Sequence, residues 1–143
     1  MNRNLAIGNP DAEDEWRWLR AQGVCGVVDL CGAATDLGTV VRRNGMRYLQ
    51  LPLANGHLPD GGELHIVTSW ILQRVYEDGP VLICDDSDLG NDAVVACAAL
   101  IKRGASLRRA SVQLRNASAG PLSDLQLDLL ERFAGEMAVS ARR

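Results

Sequence analysis

One stretch constrains the architecture more than any other: the apolar strand Val81-Leu82-Ile83, a polar loop from Asp85 to Asn91, and a run from Ala93 to Lys102 that is apolar nearly all round. A short apolar run that follows Gly79-Pro80 suits a strand covered on both faces, and a helix with apolar residues on every side has to be buried among other elements. Together they require a sheet with layers on both sides and place this strand at its centre. Asn91 or Asp92 is the expected cap of the buried helix.

The rest of the chain fits that frame. Leu5-Ala6-Ile7 reads as a short strand closed by Gly8-Asn9-Pro10. Asp11 then caps a helix with Glu13, Asp14 and Glu15 in its first turn, ending near Gly23. Val24 to Leu30 is a second doubly covered strand, which implies parallel pairing. Residues 32 to 45 show no clear period beyond one short helix over Leu37 to Arg43. Met46 to Leu53 alternates apolar and polar residues as a third strand should, and Pro52 ends it. Asn55 to Gly62, with Gly56, Pro59, Gly61 and Gly62, reads as a loop. Leu64, Val67, Ile71 and Val75 recur at helical spacing, and Gly79-Pro80 stops that helix. Beyond Gly104 only helices follow. Ser106 caps a short one with Leu107, Ala110 and Leu114 inward, and Pro121 opens a last one with Leu122, Leu125, Leu129, Phe133 and Met137 on one stripe. The pattern predicts a single α/β domain over residues 1–143: three layers, a central mostly parallel sheet of about four or five strands flanked by helices, and extra helices at the C-terminal end.

Composition narrows the function. Apolar residues make up 47% and charged residues 23% of the chain, and no stretch is long enough to cross a bilayer. The N-terminus has no apolar block of signal-peptide length, so a cytoplasmic protein is expected. Cys25, Cys31, Cys84 and Cys97 form no C-x-x-C pair and only two histidines accompany them, so neither a zinc site nor any other cofactor is expected; buried free thiols are. A formal net charge of −3 offers no general attraction for nucleic acid or membrane. The cluster Lys102, Arg103, Arg108 and Arg109 is a local exception, read as a solvated helical surface in preference to a phosphate-binding patch. Packing accounts for Trp70 and for at least one of Trp16 and Trp18.

In parallel sheets ligands gather at the carboxyl ends of the strands, so a site belongs at the turn Cys84-Asp85-Asp86-Ser87-Asp88-Leu89-Gly90-Asn91. With its flanks Pro80-Val81-Leu82-Ile83, Ala98-Ala99-Leu100-Ile101 and Gly104-Ala105-Ser106-Leu107, this segment resembles the signature region of the dual-specificity, cysteine-dependent protein tyrosine phosphatases. Leu5 to Gly8, Val27-Val28-Asp29-Leu30 and Tyr48-Leu49-Gln50-Leu51-Pro52-Leu53 extend the resemblance over most of the chain. The family's loop is H-C-x-x-G-x-x-R. An ungapped alignment puts Cys84 at its histidine, Asp85 at the nucleophilic cysteine, Asp88 at the glycine and Asn91 at the phosphate-binding arginine. Pro52 to Pro59 resembles the family's P-x-x-D-x-x-x-P stretch, with Asn55 in place of the general acid. An amide has no proton to give a leaving alkoxide. The resemblance therefore implies a phosphatase fold with no catalytic residue in place: a pseudophosphatase that acts as a binding or regulatory module for a protein partner.

Charge points the same way. A phosphate dianion needs cations or N–H donors around it, and the loop offers carboxylates; one like-charge pair at ~5 Å and an effective dielectric of ~20 costs on the order of 3 kcal/mol. The alternative reading is a phosphatase or other hydrolase with an unconventional nucleophile. Cys84 is one candidate, although Asp85 and Asp86 would raise its pKa, and a buried strand-end cysteine is the preferred reading. Asp86-Ser87-Asp88 is similar to the D-x-D of aspartate-based, magnesium-dependent phosphatases, but those carry it after their first strand. Asp85, Asp86, Asp88 and Asp92 with Ser87 and Asn91 could hold magnesium or calcium, against which capping of the following helix is preferred and no metal is expected. His57 is a candidate proton donor, with simple exposure as the plainer account.

Overall fold

The computed structural model describes residues 4–10, 12–31, 36–51, 53, 57–85, 90–116 and 122–141. Among these residues, four strands and six helices follow one another as β1 (Leu5–Ile7), α1 (Glu13–Ala21), β2 (Gly26–Asp29), α2 (Leu37–Arg43), β3 (Arg47–Gln50), α3 (Gly61–Glu77), β4 (Val81–Cys84), α4 (Asn91–Lys102), α5 (Leu107–Asn116) and α6 (Asp124–Ala141). The strands form one parallel sheet in the order β1-β4-β2-β3. The two most apolar strands are therefore its interior pair, as the continuous apolar runs require.

Side chains alternate across the sheet and divide the core in two. Val28, Val81 and Ile83 face a larger cluster shared with Leu64, Val67 and Ile71 of α3, nearly all of α4, and Ala110, Leu130 and Phe133. Val27, Leu82 and Cys84 face a smaller one with Trp16, Val41 and Met46 beneath α1 and α2. Helix α4 lies against α3, α5 and α6 on one side and the sheet on the other, which is why residues 93–101 are buried without a polar face. Burying a large apolar side chain such as Val94, Val95, Leu100 or Ile101 contributes about 1.5–3 kcal/mol each, and the alanines between them let the neighbouring elements approach closely.

Helix ends differ from expectation in four places. The N-cap of α1 is Ala12, with no side-chain cap; Asp11 lies outside the described residues. Helix α3 begins at Gly61, inside the segment read as loop, because Asp60 and Glu63 form a reciprocal capping box that holds two glycines helical: the Asp60 carboxylate accepts from Glu63 N at 2.7 Å and Glu63 accepts from Asp60 N at 3.0 Å. Helix α4 is capped by neither Asn91 nor Asp92. Its N-cap is Gly90 in the left-handed region, at φ +77°, and Asn91 is already the first helical residue. In α6, Ser123 and Gln126 form the cap, exchanging hydrogen bonds of 2.8 and 3.2 Å, so the buried face runs through Gln126, Leu130 and Phe133. Leu125, expected inward, is 70% exposed, and Pro121 lies outside the described residues. The Ser106 cap of α5 is as expected, its hydroxyl accepting from Arg109 N at 3.1 Å.

Candidate functional site at the carboxyl end of the sheet

The carboxyl ends of β2 and β4 and the start of α4 converge where a parallel sheet places its ligands. Cys84 closes β4 with its carbonyl accepting from Leu30 N at 2.8 Å. Its thiol is fully buried against α1 and α2, and its pKa is pushed far up, first by burial and then by the Asp29 carboxylate. Burial and the neighbouring carboxylates disfavour the thiolate that a nucleophile or a metal ligand requires. This is the buried strand-end cysteine of the plainer reading.

Asp85 follows, half-buried. Asp86, Ser87, Asp88 and Leu89 lie outside the described residues, as does Asn55. The chain is described again at Gly90, whose left-handed turn leads into α4. Asp92, next to Asp85, is raised in pKa by burial first and by the Asp85 charge after the main-chain bond from Ala93 N, 2.8 Å, has lowered it. Two carboxylates thus share the helix N-terminus. Among the described residues no three His, Cys, Asp or Glu side chains gather as a metal site.

Asn91 does something the sequence does not announce. It is 2% exposed, and its side-chain amide donates to the main-chain carbonyl of His57 at 3.0 Å, tying the start of α4 to the segment that follows β3. Its Oδ1 is buried and accepts no hydrogen bond among the described residues. His57, the candidate proton donor, is exposed and contributes its carbonyl to this contact.

Two residues that sequence reasoning treated only as scaffold stand beside Cys84. Asp29, in register with Cys84 across the β2–β4 pairing, is fully buried. Its carboxylate accepts from Cys31 N at 2.9 Å and from the Tyr48 hydroxyl at 2.5 Å. Burial, reinforced by the same carboxylate, raises the Tyr48 phenol well above its ordinary pKa. The Tyr48 ring rests on Gly38, where an added Cβ would come within 2.9 Å, and the Arg42 guanidinium lies 5.2 Å from its centroid. The signal was available: an aspartate ending a strand covered on both faces must be paired to be tolerated. Its partner, 19 residues away, was not.

The remaining candidates are spread over the molecule. Cys31 and Cys97 are buried and in no disulfide, and Cys25 is half-buried at the opposite, amino end of the sheet, donating to the carbonyls of Gly23 and Asp78 at 3.1 and 3.2 Å. Trp16 is buried, Trp18 is exposed and Trp70 is partly buried over Gly26. Arg103, Arg108 and Arg109 are exposed, while Lys102 turns onto α3. No described helix is long and apolar enough to cross a membrane.

No protein-family model matches the chain, and no curated protein matches it. Solved structures do. The chain is similar to Tk-PTP in its active form, with 26% identity, a TM-score of 0.78 and coverage of 94% of this chain and 93% of that one. PTPMT1 superposes with a TM-score of 0.85 at 18% identity over 99% of this chain and 96% of its own. Human DUSP28 superposes with a TM-score of 0.80 at 19% identity over 99% and 97%. With helices on both faces of its parallel sheet and the loop after β4 at the carboxyl end, this chain has the fold of the dual-specificity and protein tyrosine phosphatases.

Proposed function

We propose that this protein is a pseudophosphatase: a cytoplasmic phosphatase-like domain that serves as a binding or regulatory module, engaging a protein partner through the face where phosphatases take substrate. In this reading Asp85 occupies the place of the nucleophile, Asn91 that of the phosphate-binding arginine and Asn55 that of the general acid. The Asn91 side chain carries the argument. A residue that binds phosphate must point its donors into the loop, and the Asn91 amide is bonded instead to the His57 carbonyl. The surrounding electrostatics support the same reading, since Asp29, Asp85 and Asp92 all act on the Cys84 thiol in the direction that opposes a thiolate. A phosphate dianion entering there would meet the same charges.

The test is hydrolysis of p-nitrophenyl phosphate and of phosphopeptides by the purified protein. The expected result is no turnover above that of the Asp85→Ala variant, with or without magnesium. Turnover that Asp85→Ala abolishes would overturn the proposal. Turnover that appears only with magnesium would replace it with the alternative, a hydrolase whose aspartates hold a cation.

A further inference from the structure

A groove of about 820 Å³ opens between α3, α4 and α6, at the far end of α4 from the phosphatase-like loop. Asn91 and Lys102 bound α4, so the groove lies roughly 16 Å along the helix from that loop. Its floor is made of small and apolar side chains, Ile101, Ala105, Ala134, Met137 and Ala138. One cation is set into it: Lys102 Nζ donates to Ser69 Oγ at 2.6 Å and to the His65 carbonyl at 3.3 Å. Both partners are neutral, and an ammonium has a third proton to donate. Burial lowers the Lys102 pKa, the expected response of a cation desolvated without a carboxylate beside it. The Glu136 carboxylate, near the rim, is engaged by His65 Nε2 at 2.7 Å.

The turn that closes the groove is also charged against its own helix. Helix α5 starts at Leu107, has no acidic residue in its first turn, and carries Arg108 and Arg109 there. The positive end of a helix dipole disfavours cations by about 0.3–1 kcal/mol each, so these arginines weaken α5 where an acidic pair would support it. With Lys102 and Arg103 they concentrate four cations around one turn of a chain whose formal net charge is −3. Local preferences are broken in this way at functional or strained sites.

We propose that this groove docks an acidic protein segment carrying an apolar side chain, with the apolar group on the alanine- and methionine-lined floor, one carboxylate on Lys102 and further acidic groups on Arg108 and Arg109. Charge complementarity selects this occupant: the acidic stretch that a second copy of the chain would bring, Glu13 to Glu15, already has Asp14 paired with Arg17 and Glu13 with Arg43, and a purely apolar segment would leave Lys102 without a counter-ion. The proposal is independent of whether the phosphatase-like loop is active.

A fluorescein-labelled pool of peptides about ten residues long, with Glu or Asp alternating with Leu, Ile, Val, Phe or Met, is titrated with the full chain and followed by anisotropy. Saturable binding that weakens as salt rises is expected, with about a tenfold loss in Lys102→Met and a few-fold loss in Arg108→Gln/Arg109→Gln. The two arginines are exposed and disfavour the start of α5, so that double variant keeps or raises its Tm, and a loss of binding in it reads docking and not folding. A pool with lysine in place of the acidic residues should not bind. Equal binding of the two pools, no saturation by ~1 mM, undiminished binding in both variants, or binding to phosphatidylserine vesicles in place of the peptides would each overturn the proposal.

Discussion

The Asn91 side-chain amide and the His57 carbonyl, 3.0 Å apart and 34 residues apart in sequence, join the start of the central helix to the segment leaving the third strand. In the proposed reading these are the segments that flank the phosphate-binding and proton-donating positions of a phosphatase, and the bond ties them through protein atoms.

Removing that link should loosen the loop more than it unfolds the protein. In Asn91→Ala one net hydrogen bond of about 1 kcal/mol disappears, but so does the buried Oδ1 that lacks a donor, so global stability in urea should change by no more than about 1 kcal/mol. Limited proteolysis around His57 should accelerate several-fold. Unchanged proteolysis would mean that the bond does not hold the loop.

Tyr48→Phe should cost about 2 kcal/mol, because it removes the hydroxyl from a fully buried carboxylate and leaves Asp29 with the Cys31 N–H. The ring volume is unchanged, so packing against Gly38 survives and the loss reads the hydrogen bond directly. Chemical denaturation measures it. A loss below about 0.5 kcal/mol would show that Asp29 finds another donor.

Alkaline pH should destabilise the fold over a defined window. Burial pushes the Cys97 thiol up from 9.0 to about 11, against a smaller opposing effect of the Ser111 hydroxyl. A folded-state pKa above the unfolded one means that the unfolded chain releases its proton first, so the stability is fully present below pH 9 and is lost as pH rises toward about 11. The Cys84 and Tyr48 shifts have the same sign. Urea midpoints should be level from pH 7 to about 8.5 and fall beyond it, and Cys97→Ala should flatten part of the fall. An identical slope in that variant would remove Cys97 from the account.

Gly90→Ala should lose about 1–2 kcal/mol. Its backbone sits at φ +77°, and the new methyl would stand 3.4 Å from Gln126 Nε2 on α6. A thermal melt with a lower midpoint is the expected readout. Equal stability would indicate that the turn into α4 relaxes to a right-handed conformation.

The fold was legible because its signals are local and repeated. Val81-Leu82-Ile83 and the all-apolar run Ala93 to Lys102 can be satisfied only in the middle of a layered sheet, and the chain put both there. Two of the differences at helix ends, in α3 and α6, arose where two patterns competed over a few residues. Gly61 and Gly62 argued for a loop, and the Asp60–Glu63 box outweighed them. Leu125 fitted an apolar stripe, and the Ser123–Gln126 cap turned the helix so that an amide took the buried place.

At the site, the residue types were fixed by the sequence and their uses were not. Carboxylates at Asp85 and Asp92, an amide at Asn91 and no arginine between Cys84 and Asp92 are facts of the chain, and like-charge repulsion is the basis on which the proposed function has them disfavour phosphate. Tertiary structure alone decided that Asn91 would face the His57 carbonyl, that Asp29 would meet Tyr48 beside Cys84, and that Lys102 would enter a groove between three helices. Periodicity reports which face of an element is buried, because burial is collective and repeats along the chain. A hydrogen bond joins two particular atoms, and the sequence separation between them carries no record of it.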